Sequence, residues 1–417
     1  MSNLQVFGPA KTLVTVSERF TTPGNPLGII TNGCLVVENG KILWVGPESE
    51  LPGTYSSIAK IPVLGNMLLP GLIDSHTHSV YAGNRADEFE ARLAGKTYQQ
   101  IAESGGGILK TVRLTREASF EELKQLTQQR LNNMLQFGVT TVECKSGYGL
   151  TFDDELKSLE VLKTLQSELK INIISTLMAA HDFPPEYKNN HDAYVDLICE
   201  KIIPEVAHKK LAVFNDVFCE DGYFTLAQSK RILETGLKHG LIPKIHAEEF
   251  SNQHGTALAC EMNAASADHL LAIEDDGIAA LQNAAKKITE KTVATLLPAT
   301  AFFLNAPYAP VRKLLDAGIT VALATDFNPG SSNCPNMLMV MALGCLQMKM
   351  RVDEVIQAVT INAAKALRLE ADRGSLDIGK RADFVISSAT SPAEMLYHWS
   401  ENSITSVWVA GERVYKI

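Results

Sequence analysis

The chain has 417 residues, of which 46% are hydrophobic, 20% charged and 7% aromatic, and its mean hydropathy is close to zero; this is a globular chain with a large core, not a disordered or fibrous one. With 38 basic against 47 acidic residues the net charge is −9 and no basic run stands out, which excludes a nucleic-acid or anionic-membrane footprint and favours a small-molecule partner. Seven cysteines (34, 144, 199, 219, 260, 334 and 345) are scattered without Cys-x-x-Cys spacing, and no leader pattern or bilayer-length apolar run is present, so reduced thiols and a cytoplasmic location are expected.

The first sixty-odd residues read as β structure. Cys34-Leu-Val-Val-Glu38 and Lys41-Ile-Leu-Trp-Val45 flank Asn39-Gly40, a pair that supplies the positive φ angles of a two-residue type I′ hairpin. The far end repeats the scheme, with Ser403–Val409, an Ala410-Gly411 turn and Glu412–Ile417. Neither end buries much surface alone, so the two are expected to pair into one small β-sandwich domain, 1–67 with 368–417.

Between them, over 68–367, short apolar runs alternate with helical patterns, the signature of repeated βα units. Eight strands are expected: Leu68–Ile73, Val139–Cys144, Ile171–Ala179, Val213–Cys219, Ile242–Ile245, Ser266–Asp268, Thr292–Leu297 and Thr320–Ala324. Two intervening helices announce their starts with Ser119-x-x-Glu122 and Thr151-x-x-Asp154. The pattern suggests an α/β fold, a (β/α)8 TIM-like barrel whose site lies at the C-terminal ends of the strands. A doubly wound sheet is the rival, but no Gly-x-Gly-x-x-Gly follows a strand. Gly105-Gly106-Gly107 lacks a P-loop continuation and reads as a flexible turn or substrate loop.

His76 and His78 follow the first of these strands, and at strand spacing i and i+2 point the same way, so both imidazoles can reach one metal ion. An isolated His-x-His is more often a solvent-facing pair, and its context decides. Pro70-Gly-Leu-Ile-Asp-Ser-His76-Thr-His78 resembles the first-strand signature of the metal-dependent amidohydrolase superfamily, and Gly374-Ser-Leu-Asp-Ile-Gly379-Lys-Arg-Ala-Asp383 resembles the stretch by which such chains re-enter the small β domain. Further candidates end later strands: His246, His269 and Asp326. The resemblance implies a metal set of His76, His78, His246 and Asp326, an N3O donor group suited to one metal ion, Zn2+ or Fe2+/Fe3+. No candidate for a bridging carbamylated lysine is found, and Lys145 reads as a local electrostatic or structural residue.

Within the superfamily the chain is similar to the imidazolonepropionase family, on Ala82-Gly-Asn-Arg85-Ala-Asp-Glu-Phe89, Gly105–Ile108, Lys145-Ser-Gly-Tyr148-Gly-Leu150, Ala180-His181 and Thr325-Asp-Phe-Asn328-Pro-Gly330-Ser331-Ser332. That likeness implies hydrolysis of the ring amide of 4-imidazolone-5-propanoate by a metal-activated water, giving N-formimidoyl-L-glutamate in histidine degradation, and a homodimer. It implies substrate contacts by Arg85, Tyr148, His181, Asn328, Gly330 and Ser331. Guanidinium suits a propionate carboxylate through paired charge-assisted hydrogen bonds, against a rival reading of Arg85 as an exposed salt bridge to Asp87 or Glu88. Glu249 is the expected base, assisted by His269 and Asp326, with His181 or His269 at the oxyanion.

Glu248 is as well placed for support as for catalysis, Glu143 is expected in a buried network at the end of the second strand, and His191, His208, His239, His254 and His398 read as surface or packing residues. Cys144 and Cys334 border functional loops without a base at recognisable spacing. Two other readings are a deaminase of an amino-heterocycle, against which Arg85 and Tyr148 weigh, and a barrel that has lost catalysis, against which the complete set of His76, His78, His246, His269 and Asp326 weighs.

Overall fold

The computed structural model describes residues 4–63, 66–96, 100, 105–286 and 291–416; the last residue of the expected C-terminal strand, Ile417, lies outside them. Near the N-terminus are β1 (Leu4–Val14), β2 (Ile29–Glu38), β3 (Lys41–Pro47), β4 (Lys60–Ile61) and β5 (Met67–Pro70). The next eight strands are β6 (Leu72–Asp74), β7 (Val139–Lys145), β8 (Asn172–Ala180), β9 (Phe214–Cys219), β10 (Ile242–Ala247), β11 (Ser266–His269), β12 (Val293–Leu296) and β13 (Val321–Leu323). The chain ends on β14 (Phe384–Ser387), β15 (Ile404–Val409) and β16 (Glu412–Lys416).

Strands β6 to β13 run in parallel in sequence order. Seven of the eight expected barrel strands are present within two residues of their expected bounds. Every residue of β7, β9 and β11 is buried, as strands covered on both faces require. Closure occurs at the C-terminal ends: the Asp326 N–H donates to His76 O (3.0 Å) and the His78 N–H to Phe327 O (2.9 Å). Below them Asp74 accepts from Thr325 N (3.1 Å) and Thr325 Oγ1 (2.6 Å). The seam that closes the barrel is thus the segment that carries three candidate ligands.

The second sheet runs β16-β15-β14-β5-β1-β2-β3, with β4 beside β1. The two ends of the chain meet where β14 pairs antiparallel with β5. Asn39 and Gly40, at φ +51° and +78°, make the expected turn between β2 and β3. One expectation changes. The apolar run Leu68–Ile73 is two strands, because the chain passes from the second sheet to the barrel at Gly71; the Gly71 N–H donates to Asp383 O and the next N–H, of Leu72, to Gly138 O, both at 3.0 Å. A continuous apolar run fits any buried strand, so periodicity alone could not place that division.

The helices start as their caps specify. Ser119 accepts from the Glu122 N–H ahead of helix Phe120–Leu135, and Thr151 from the Asp154 N–H ahead of Phe152–Glu168. The main core lies between the helices and the barrel strands; a smaller one, built on Phe7, Phe384 and Trp408, lies against the second sheet. Among the described residues no helix is long and apolar enough to cross a membrane.

Candidate active site

The candidate metal, substrate and proton-transfer residues converge at the C-terminal ends of the barrel strands. His76 and His78 follow β6, Tyr148 follows β7, His181 follows β8, His246 lies in β10, His269 ends β11 and Asp326 follows β13. They surround a cavity of ≈ 480 Å³ whose wall includes His78, Arg85, Tyr148, His181, His246, Glu249, His269, Asp326, Asn328, Gly330 and Ser331. His76, fully buried, lies behind this wall.

Four donor atoms face one another at the floor. His76 Nε2 is 3.3 Å from His78 Nε2, which is 3.2 Å from His246 Nε2. Asp326 Oδ1 is 3.5 Å from His76 Nε2 and 3.6 Å from His78 Nε2. A tetrahedral ion with bonds of about 2.0–2.1 Å separates its ligands by about 3.3 Å. The tautomers agree with that geometry. His76 Nδ1 donates to Asp268 Oδ2 (2.6 Å) and His246 Nδ1 to Asp216 Oδ1 (3.1 Å), so both Nε2 atoms carry bare lone pairs. Burial, with the Lys145 ammonium nearby, holds His76 well below its usual pKa and therefore neutral. Convergent lone pairs in a dry site repel unless a cation sits among them, and the donor set fits a metal ion. Among the described residues the groups of three or more close donors both fall here, and they share His76; His269 belongs to one of them.

Asp326 is held by its other oxygen, which accepts from Thr300 Oγ1 (2.5 Å); its backbone is left-handed, at φ +50°. Burial raises its pKa to about 6. Glu249 Oε2 lies 3.6 Å from His269 Nε2. Burial, with Asp326 and Glu220 nearby, pushes the Glu249 carboxyl well above its ordinary value. His269 has φ +81°, and its buried Nδ1 has no hydrogen-bond partner among the described residues; strained backbone of this kind concentrates at functional sites.

His181 Nδ1 lies 3.0 Å from Gly147 O, a pure acceptor, so Nδ1 carries the hydrogen. Burial lowers its pKa to about 3. A neutral ring protonated at Nδ1 presents Nε2 as an acceptor, which departs from the expected oxyanion donor. Burial also raises the Tyr148 phenol, which keeps its proton.

Arg85 is not an exposed salt bridge. Its Nε donates to Glu88 Oε2 at 2.8 Å, and the two side chains are only 13% and 8% exposed. Glu88 also accepts from the Gly107 N–H (3.0 Å), so the glycine run is anchored at the entry of helix Ile108–Glu117, where Gly107 is the N-cap. Gly330 packs under the guanidinium: a Cβ there would stand 2.2 Å from Arg85 Nη1. Asn328 spends its amide within its own loop, accepting from Gly330 N (2.7 Å) and Ser331 N (2.8 Å) and donating to Asp326 O (2.7 Å). It shapes the wall.

Lys145 is a local electrostatic residue as expected, while Asp216, Lys244, Glu155, Glu220 and Thr300 escaped the sequence reading. Lys145 contacts Glu143 (2.8 Å) and Asp216 (2.6 Å), and Lys244 contacts Ser75 O (2.9 Å) and Glu143 (3.2 Å), all with fully buried side chains. Burial disfavours the Lys145 ammonium, but Asp216, Glu143 and Asp268 outweigh it and raise its pKa. Glu155 gathers the N–H groups of Gly147, Gly149 and Leu150 and so fixes the loop that presents Tyr148, while Glu220 does the same at Phe250 and Ser251, beside Glu249. Charged residues inside apolar strands, such as Asp216 and Lys244, were the available signal; Thr300 offered none. Glu143 is in a buried network as expected, and Glu248 supports, accepting from Thr256 N (3.2 Å). His208, His239, His254 and His398 are exposed, and His191 stacks on Phe183 at 3.7 Å. Burial pushes the Cys144 thiol up to about 12, which leaves it inert.

Residues 67–414 match the model of the amidohydrolase family. The chain is 49% identical to the imidazolonepropionase of Brevibacillus brevis (strain 47) over 92% of its length and 90% of that protein's. It is 46% identical to the imidazolonepropionase of Geobacillus sp. (strain WCH70), over 98% and 97%. Among solved structures, a zinc-bound adenosine deaminase from Xanthomonas campestris superposes with a TM-score of 0.72 at 16% identity, covering 98% of this chain and 92% of its own, a likeness of fold. The chain belongs to the amidohydrolase family and, within it, to the imidazolonepropionases.

Proposed function

We propose that the chain hydrolyses the ring amide of 4-imidazolone-5-propanoate to N-formimidoyl-L-glutamate, in histidine degradation. The observation that carries this reading is one cavity lined both by the His78, His246 and Asp326 donors and by the Arg85 guanidinium: a hydrolytic floor and a seat for a carboxylate. The named relatives, 43–49% identical across most of the chain, support the same activity.

In this reading His76, His78, His246 and Asp326 hold one ion, Zn2+ or Fe2+/Fe3+, since imidazole and carboxylate suit both. When bound, the ion supplies Lewis acidity, lowering the pKa of water toward about 7 and polarising a carbonyl. Arg85, with Nε taken by Glu88, turns its Nη edge to the propionate. Tyr148 donates from its phenol, and His181 Nε2 accepts an N–H of the ring. Asn328, Gly330 and Ser331 form the wall beside Arg85. Glu249 takes a proton from the attacking water and passes it to the departing ring nitrogen, with the His269 imidazole 3.6 Å away and Asp326 beside it. Water adds across the C–N bond: oxygen to carbon, hydrogen to nitrogen. The seven cysteines, none of them in a disulfide among the described residues, support a reducing, cytoplasmic setting, and a homodimer completes the reading, checked by light scattering.

Metal-loaded protein incubated with fresh imidazolone propionate should abolish the ring absorbance, with about one ion per chain by elemental analysis. Unchanged absorbance with the metal present would refute the substrate.

A further inference from the structure

Five charged side chains lie fully buried beneath the donor atoms: Glu143, Lys145, Asp216, Lys244 and Asp268. Replacing buried ion networks with apolar side chains is often neutral or stabilising, so stability alone is a weak reason for them. Their contacts point elsewhere. Asp216 backs His246 and Asp268 backs His76. Lys145 Nζ is 2.6 Å from Asp216 Oδ2 and 3.9 Å from Asp268 Oδ2. Lys244 reaches Asp268 (3.8 Å) and Glu143 (3.2 Å). Among the described residues, Lys145 alone forms ion pairs with both aspartates.

We propose that Lys145 is a positioning residue that ties the Asp216–His246 and Asp268–His76 pairs into one unit and thereby holds both Nε2 lone pairs ready for the ion. The inference rests on the metal site described above. The lysine touches neither the ion's position nor the substrate cavity; it acts by fixing the direction of two carboxylates, each of which fixes a ring tautomer and orientation. Three carboxylates against two ammonium groups also leave the cluster with a net negative charge, which favours a cation above it. Lys244 supplies the second cation but reaches only one of the two aspartates.

The test is the zinc dissociation constant, measured by chelator competition on wild-type protein and on Lys145→Met. Partners of metal-ligating histidines are worth roughly 10- to 100-fold in metal affinity, and a loss of that size is expected in a variant that remains folded by circular dichroism. Lys145→Met and Asp268→Asn should be strongly non-additive on zinc affinity. Destabilised protein with unchanged zinc affinity would overturn the proposal, because a merely structural lysine would behave so. If Lys145→Met does not fold, the charge-compensated Lys145→Met/Glu143→Gln protein decides: weakened zinc binding supports the proposal and wild-type binding refutes it. Metal-free wild-type protein provides a reading that needs no substitution. Its 15N imidazole spectrum should show both His76 and His246 protonated at Nδ1, and an Nε2–H tautomer at either would overturn the idea. Failure of the wild-type protein itself to bind zinc would instead refute the metal site.

Discussion

Arg85→Met should weaken substrate binding while leaving metal content intact. In the proposed reading the guanidinium offers the propionate two charge-assisted hydrogen bonds, in a site where its side chain is 13% exposed. At about 1.5 kcal/mol each they amount to about 3 kcal/mol, or roughly 150-fold in kcat/KM. The substitution has a second effect, because Glu88 is left with the Gly107 N–H and no cation. A carboxylate about 6 Å from the substrate's own, at an effective dielectric of about 40, adds about 1.4 kcal/mol of repulsion, a further decade. Arg85→Met/Glu88→Gln should therefore recover about tenfold of the loss, a rescue that a purely structural arginine would not allow. The assay is kcat/KM from the loss of ring absorbance, with metal measured on the same samples. Loss of metal along with activity, or an unchanged KM, would show that Arg85 does not seat the substrate.

His246→Ala should remove metal and activity together, and full metal occupancy in that variant would refute its ligand role. Thr300→Val frees one oxygen of Asp326 and should lower zinc affinity about 10-fold or more, read by chelator competition. Glu249→Gln should cut kcat by about 10²–10⁴ with substrate binding retained, separated by single-turnover kinetics. Burial raises the Asp182 carboxyl to about 6, above its unfolded value of about 3.9. Its favourable contribution is thus complete below about pH 4 and lost as pH rises through about 6. Asp182→Asn should stabilise metal-free protein above pH 6 by about 1–2 kcal/mol, after discounting partial exposure, and leave it unchanged near pH 4; urea midpoints across that range check the sign.

The barrel and its first candidate ligands were legible because they depend on local pattern. Apolar runs bounded by capped helices mark strands wherever they fold, and His76 and His78 share a face at any strand spacing. His246, His269 and Asp326 stood out as polar residues ending such runs. The division of Leu68–Ile73 at Gly71 was not legible, because both halves are equally buried and only their hydrogen-bond partners differ. Nor was the acceptor character of His181, which depends on a carbonyl 34 residues away.

By itself, then, the sequence determined the order of elements, the paired ends and the chemical types gathered at the strand termini. Tertiary structure decided how those side chains are held. Asp268 meets His76 across 192 positions, Asp216 meets Lys145 across 71, and Thr325 meets Asp74 across 251. Contacts of that range carry no periodic signal along the chain. They arise because a closed parallel barrel brings the C-terminal ends of all its strands to one rim, where each buried charge must find a partner or pay the full cost of desolvation.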